Sequence, residues 1–336
     1  MQDETPDRED RVGQKLIVGI DLGGTNLECG IITEQGTVLH RVTRPARPER
    51  GPEPVLDDMA GLIEAVIGEV GASHDDVIGI GIGAPGPLSH RDGIIYKAAN
   101  LPGWENVRVP RGIIRRVGLP TTLENDGNAA AYGEFWAGAG RGVSTLVALT
   151  LGTGVGAGAI VEGELLHGHF ENALEVGHTI VEPGGRLCMC GQRGCLEQYC
   201  SASSLGRRAV EEIERGVKSA LAALVKPGEP LGSLPVCEAA RAGDALAGRI
   251  WDDACRFLAI GCINIQHTFN PQRIVLGGGM SRARDFLLER VHAHVNAEKW
   301  HLHTDLPEVV IGQLDNNAGV IGAAGCALRC YVDGVW

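Results

Sequence analysis

No run of apolar residues reaches the roughly 18 that a membrane-crossing helix needs, so no membrane span is expected. The N-terminal stretch MQDETPDREDRVGQK has no apolar h-region, so no signal peptide is expected in it. Its charge predicts a disordered tail over residues 1–14. Positive charge is in deficit: 30 Lys and Arg stand against 42 Asp and Glu, a formal net charge of −12. A general nucleic-acid binder needs a basic stripe, so neither nucleic acid nor membrane is an expected partner. Also absent are G-x-x-x-x-G-K-[ST] and a G-x-G-x-x-G opening a helix after the first strand. Their absence argues against P-loop and Rossmann dinucleotide sites. No low-complexity region interrupts the chain.

What is present suits an α/β enzyme. At 336 residues the chain is long enough for about two domains. Its 44% hydrophobic and 21% charged residues match ordinary globular usage. Forty-nine glycines fall largely in clusters after apolar runs, where backbone must approach a ligand closely. The negative balance leaves an anionic substrate such as ATP open, because backbone N–H groups hold phosphates without net charge. Of ten cysteines, four cluster at 188, 190, 195 and 200 and six are scattered among apolar neighbours. That usage fits a reducing compartment, so a cytoplasmic setting is expected.

The run KLIVGID, then DLGGTN, ECGIITE, Gly36 and TVLHRVT reads as strand, glycine turn, strand, hairpin, strand. Residues 54–70 have helical periodicity and 76–82 read as a buried strand. Residues 121–124 read as a short strand and 127–136 as a helix start. Helical spacing returns at 203–215, 244–268 and 281–297, and 226–235 reads as a proline-containing loop. The small-residue run 317–329 can pack closely on a sheet. VGIDLGGTNLECGIITEQGTVL also repeats as VALTLGTGVGAGAIVEGELL, with Asp21 over Thr150 and Gly30 over Ala159. The second copy is two residues shorter. IGIGAPG and RIVLGGGM form a looser pair. This predicts a duplicated architecture of two related domains facing each other, although glycine-rich β-turns can also look alike by chance.

Three constellations carry chemistry. DLGGTN places Asp21, Gly23, Gly24, Thr25 and Asn26 where backbone N–H groups and a hydroxyl can meet an anion. Alone it could be a plain hairpin, but LTLGTGVG offers a second such turn, and two turns can grip a polyphosphate from both sides. In LENDGN, Asp126 stands at a strand-to-helix junction. It could cap the helix or act as a general base towards an attacking hydroxyl, with Asn125 as a sugar contact. Finally, His178, Cys188, Cys190 and Cys195 make a Cys₃His set, a common closed structural zinc site. Buried thiols or a disulfide remain the alternative. Glu175 and Glu197 flank the set, so a metal would lock two sugar-binding carboxylates in place.

Taken in order, DLGGTN, LENDGNAAAYGE, LTLGTGVGAG, E-x-G-H, C-x-C-G-x-x-G-C-x-E and GGGMS resemble the ROK family (repressor, open reading frame, kinase), from about Gly19 to the C-terminus. The resemblance implies an actin-like ATPase (ribonuclease H-like) fold of two related α/β domains flanking a cleft. It divides the chain into a small domain, 15–127 plus about 317–336, and a large domain, 128–316, with the zinc site. It implies ATP-dependent phosphorylation of a hexose by MgATP, with structural Zn²⁺, in a homodimer or tetramer. By position, Asp126 matches the catalytic base. Gly83, Ala84, Asn100, Asn125, Asp126, Glu175, His178 and Glu197 match the sugar side. His178, Cys188, Cys190 and Cys195 match the zinc ligands. The nucleotide loops match Asp21, Gly23, Gly24, Thr25 and Asn26; Gly152, Thr153, Gly154, Val155 and Gly156; and Gly277, Gly278 and Gly279. Met189 departs from the family's usual glycine.

The L-E-Q-Y run resembles the glucokinase branch, so glucose is the expected hexose. Fructose, N-acetylglucosamine or N-acetylmannosamine is the alternative. A sugar-responsive repressor of this family would carry a helix-turn-helix before the first phosphate loop. Only 20 residues precede Asp21, and they show no apolar helical face, so a repressor is not expected.

Overall fold

The computed structural model describes residues 14–98, 100–226, 228–299 and 306–336. The tail expected over residues 1–14 therefore lies, except for Gln14, outside the described residues. The first half runs β1 (Leu16–Leu22), β2 (Asn26–Thr33), β3 (Val38–Pro45), α1 (Pro52–Glu69), β4 (Val77–Ala84), β5 (Leu88–Ser89), β6 (Ile94–Lys97), β7 (Glu105–Arg108), α2 (Val109–Val117) and β8 (Thr121–Asn125). The second half runs α3 (Asp126–Ala137), β9 (Leu146–Leu151), β10 (Val155–Val161), β11 (Glu164–Leu165), α4 (Glu197–Cys200), α5 (Ala202–Glu214), α6 (Ser233–Arg241), α7 (Ala245–Phe269), β12 (Arg273–Gly277), α8 (Asp285–Glu298) and β13 (Glu308–Ile311). The last helix is α9 (Ala318–Asp333).

The duplication is visible in the sheets. One has the order β3-β2-β1-β4-β8 and the other β11-β10-β9-β12-β13. In both, an antiparallel hairpin is followed by two parallel strands. The looser pair, β4 and β12, holds the same place in each sheet. Register refines the alignment. Leu22 pairs with Leu27 and Leu151 with Val155, so the second turn is one residue shorter. Gly19 pairs with Gly30 and Ala148 with Gly158, so Gly30 corresponds to Gly158 rather than Ala159.

Each sheet is covered on both faces, as its nearly continuous apolar strands require. On the first, α1 and α2 pack on one face and α9 on the other. On the second, α5 to α8 cover one face and α3 the other. Helices α3 and α9 then pack against each other between the sheets. Many glycines serve this packing rather than a ligand. A Cβ on Gly81 would fall 1.7 Å from the Ala323 carbonyl oxygen, and one on Gly322 would fall 1.6 Å from that of Ala129. Backbones at such distances admit no side chain.

Several elements were not legible: the small sheet β5-β6-β7, β13, and the helices α2, α4 and α6. Their strands are two to four residues long, too short for periodicity to register. The loop expected at 226–235 gives way to α6 at Ser233, and α8 starts at Asp285 after a 3₁₀ turn over Gly279–Ala283.

Candidate active site

The carboxyl ends of β8 and β12 and the turn between β9 and β10 border a cleft of about 650 Å³. Open α/β sheets place ligands at this edge. Asn100, Asn125, Asp126, Glu175, His178 and Glu197 all line it. So do Gly152, Thr153, Gly154, Val155, Gly156 and Gly278. Gly83 and Ala84 are buried behind it, paired in register with Glu124 and Asn125, and support the end of β8. Gly277 pairs with Thr150, and Gly279 is exposed beside Gly278. Gly278 has φ 81°, and a Cβ there would fall 2.7 Å from the Leu151 nitrogen. Only glycine meets both demands.

The first turn is closed by the Gly23 N–H donating to the Asn26 carbonyl at 2.9 Å, with Thr25 and Asn26 exposed. Gly24 faces Asn100 closely: a Cβ on Gly24 would lie 2.9 Å from that of Asn100. Turn and sugar-side residue are thus packed together. Asp21 ends β1 in the same region. Burial, then the negative charges of Asp126 and Glu28, push its pKa up to about 7.

The choice between cap and base at Asp126 is divided between neighbours. Asn125 is the N-cap, its Oδ1 accepting from the N–H groups of Gly127 (2.9 Å) and Asn128 (3.2 Å). Asp126 is the first residue of α3, and its Oδ1 accepts from Gly127 at 2.8 Å. Its carboxylate opens onto the cleft but is walled by protein. That desolvation is the main cause of a pKa raised to about 6, helped by the charge of Glu175 and opposed by the Gly127 bond. A carboxylate with a pKa near neutrality is suited to accept a proton.

The cysteine segment folds into a compact knot. The candidate ligand atoms of His178, Cys188, Cys190 and Cys195 all lie within 4.8 Å of one another. Cys188 Sγ is 3.6 Å from His178 Nδ1, and Cys190 Sγ is 3.6 Å from Cys195 Sγ. A disulfide needs about 2.0 Å. A tetrahedron with metal–sulfur bonds of about 2.3 Å has edges of roughly 3.8 Å, so the donor set fits zinc. With Nδ1 turned to the sulfurs, the other edge of the His178 ring is left for the cleft it lines. Met189 is 97% exposed and does not disturb the knot.

The two flanking glutamates differ. The Glu175 side chain has no hydrogen bond among the described residues and opens onto the cleft. Glu197 accepts the Val155 N–H at 3.0 Å, and a Cβ on Gly154 would fall 2.4 Å from its carboxylate. It therefore also holds the turn at 152–156. Sequence reasoning missed three further groups: Glu124, His167 and Glu171. Glu124 stands inside the quoted LENDGN, but only burial exposes its role. The other two lie in a loop without periodicity.

A sequence profile of the ROK family matches residues 17–329. A glucokinase from Thermotoga maritima is 37% identical over 308 residues, covering 92% of this chain and 96% of that one. The xylose repressor of Caldicellulosiruptor bescii is 28% identical over 306 residues, covering 91% of this chain and 76% of that protein. A solved ROK family glucokinase from Streptomyces griseus, in complex with glucose and AMPPNP, has TM-score 0.79 and 31% identity, covering 94% of this chain and 99% of that one. The fold is the actin-like ATPase fold of ROK sugar kinases. By profile, by relatives spanning nearly its whole length and by the paired sheets around one cleft, the chain belongs to the ROK family.

Proposed function

We propose that the protein is an ATP-dependent hexose kinase acting on glucose, with Asp126 as general base. The observation that carries this reading is Asp126 itself. It stands at the start of α3 in the cleft, near Glu175 and the 152–156 turn, and its charge is felt by Asp21 before the first turn; the residues of that first turn, 23–26, do not line the cleft themselves. The named activity and bound glucose and AMPPNP of the relatives support it. Asp126 takes the proton of the sugar 6-hydroxyl, whose oxygen attacks the γ-phosphorus as the bond to ADP breaks. Glucose 6-phosphate and ADP result. Asn100, Asn125, Glu175 and His178 hold the sugar hydroxyls. The turns at 23–26, 152–156 and 277–279 hold the nucleotide, with Asp21 beside them. Magnesium bound with ATP supplies charge neutralisation at the phosphates.

We read the knot as one structural zinc held by His178, Cys188, Cys190 and Cys195. It fixes Glu175 on the sugar side and Glu197 under the phosphate loop. We take 15–127 with 317–336 as one domain and 128–316 as the other, because α9 packs on the first sheet and α3 on the second. Closure of these domains excludes water from the transfer. A cytoplasmic homodimer or tetramer completes the reading. Another hexose, such as fructose, N-acetylglucosamine or N-acetylmannosamine, is the second substrate class. A coupled assay for ADP across a panel of hexoses and phosphoryl donors tests this. Turnover with glucose and ATP is expected, and no ATP-dependent turnover of any hexose would overturn the kinase reading.

A further inference from the structure

The segment 166–175 leaves the second sheet after β11 and ends at Glu175. It crosses to the first half at two points. His167 Nε2 lies 2.7 Å from Glu124 Oε2, on β8. Glu171 accepts the N–H of His90 at 2.7 Å and that of Arg91 at 3.4 Å, and pairs with the Arg91 guanidinium at 3.4 Å. His90 and Arg91 belong to the turn between β5 and β6. The His167 and His90 rings stack, with centroids 3.9 Å apart and planes 18° from parallel.

Glu124 is only 5% exposed, and its other oxygen is fully engaged. It accepts the Asn125 N–H at 2.8 Å and the Asn128 amide at 2.9 Å. These two partners flank Asp126. A contact from His167 thus reaches the backbone that carries the proposed base, while the same loop delivers Glu175. The loop's own backbone opposes this shape. Gly168, Glu171 and Leu174 have φ of 74°, 58° and 67°, and for the last two that is an unfavourable conformation. Such strain persists only where surrounding contacts over-determine it.

We propose that His167 and Glu171 are positioning residues: they latch segment 166–175 onto Glu124 and the 89–92 turn, and so set the spacing of Glu175 and Asp126 around the sugar. This rests on the kinase reading for its substrate. His90, Glu124 and His167 also bring their ligand atoms within 4.8 Å of one another. Near-parallel stacked rings, however, point their lone pairs side by side rather than at one centre, so the cluster suits a proton better than a metal.

One proton on the histidine pair strengthens the latch. Burial lowers the pKa of His90, and the neighbouring His167 lowers it further, against Glu124 and Glu171; Arg91 adds to the lowering. Burial also pulls His167 down, but the Glu124 bond and the charges of Glu124 and Glu171 outweigh it despite Arg91, so its pKa is raised. His167 therefore holds a proton more tightly than His90. A raised histidine pKa gives stabilisation that is complete below the ordinary value of about 6.5. It is lost as pH rises through the pKa of His167 itself.

The test combines hydrogen exchange of peptides covering 166–175 with glucose KM at saturating ATP across about pH 6 to 9. In His167→Gln, exchange in the loop and the glucose KM at pH 6.5 should each rise about tenfold, the worth of one hydrogen bond to a charged group. Its KM should lose the upward pH limb of the wild type, and its ATP KM should stay within about twofold. In Arg91→Gln, which removes a positive charge that lowers the pKa of His167 but leaves the backbone N–H bonds to Glu171, the limb should move to higher pH. A merely structural role would leave that limb in place. Unchanged loop exchange in His167→Gln, or an unmoved limb in Arg91→Gln, overturns the latch. Because exchange needs no substrate, faster loop exchange in His167→Gln beside a wild type that binds no hexose would leave the latch standing and remove the kinase reading.

Discussion

At the scale of single residues, Asp126 joins two measurable properties. Asp126→Asn should retain sugar binding and lose kcat by roughly 10²–10⁴, the range for a positioned general base. Near wild-type turnover would remove Asp126 from that role. Its raised pKa sets the sign of two pH effects. In the wild type, kcat/KM should fall as pH drops through about 6, because the base becomes protonated. Stability runs the other way. A carboxyl that holds its proton more tightly when folded favours folding below the unfolded pKa of about 3.9, and that contribution is lost as pH rises through about 6. Asp126→Asn should therefore melt above the wild type at pH 7.5, with the gap closing towards pH 4. A constant gap in melting temperature across that range would contradict it. Gly24 joins the proposed nucleotide turn to Asn100 on the proposed sugar side. Valine there would crowd the phosphates, but also Asn100, against which Gly24 packs. Separate titrations of Gly24→Val should show weakened binding of both nucleotide and glucose in a chain that still folds. Intact affinity for either one would mean the turn yields without moving Asn100.

At the scale of elements, the cysteine knot with its proposed zinc is the sharpest case. Cys190→Ala leaves three ligands, and closed four-ligand zinc sites contribute directly to local folding. Elemental analysis should find one zinc per wild-type chain and less in the variant. The glucose KM should rise through Glu175, and the ATP KM should rise as well, because Glu197 holds the Val155 N–H. Active wild-type protein without zinc would refute the metal, and an unchanged ATP KM in the variant would refute the Glu197 tie. The double duty of Glu197 shows where sequence reading stops. The strands β1, β2, β9 and β10 were legible because continuous apolar runs and glycine turns are local signals. The knot was legible because thiolate and imidazole at close spacing have few other uses. Three things were not legible: the bond from Glu197 to a loop 42 residues earlier, the division of cap and base between Asn125 and Asp126, and the contact of His167 with Glu124. Each depends on distances between segments that only the assembled fold sets. The glycines misled in the same way. Those at Gly81 and Gly322 lie against helix backbones, a demand that local sequence does not distinguish from ligand approach.

At the scale of the whole molecule, the two halves are one design used twice. The second copy has been extended by the knot, α4 to α7 and the loop that crosses the cleft. Helices α3 and α9 meet between the sheets with backbones in close approach at Gly133 and Gly322, while Tyr132 and Trp136 of α3 pack over Gly325 of α9. The Glu197–Val155 bond has a thermodynamic corollary. The same segment places Glu175 and His178 in the cleft and, through Glu197, anchors the 152–156 turn that we propose meets the nucleotide. Ordering by one ligand is then ordering already done for the other, and the two binding equilibria are linked. Because such linkage is reciprocal, the factor by which a non-hydrolysable ATP analogue tightens glucose must equal the factor by which glucose tightens the analogue. Calorimetry of each ligand in the presence and absence of the other should give a matching synergy of about fivefold or more, collapsing to unity in Cys190→Ala. Independent affinities in the wild type would mean that the knot stabilises both sites without transmitting between them.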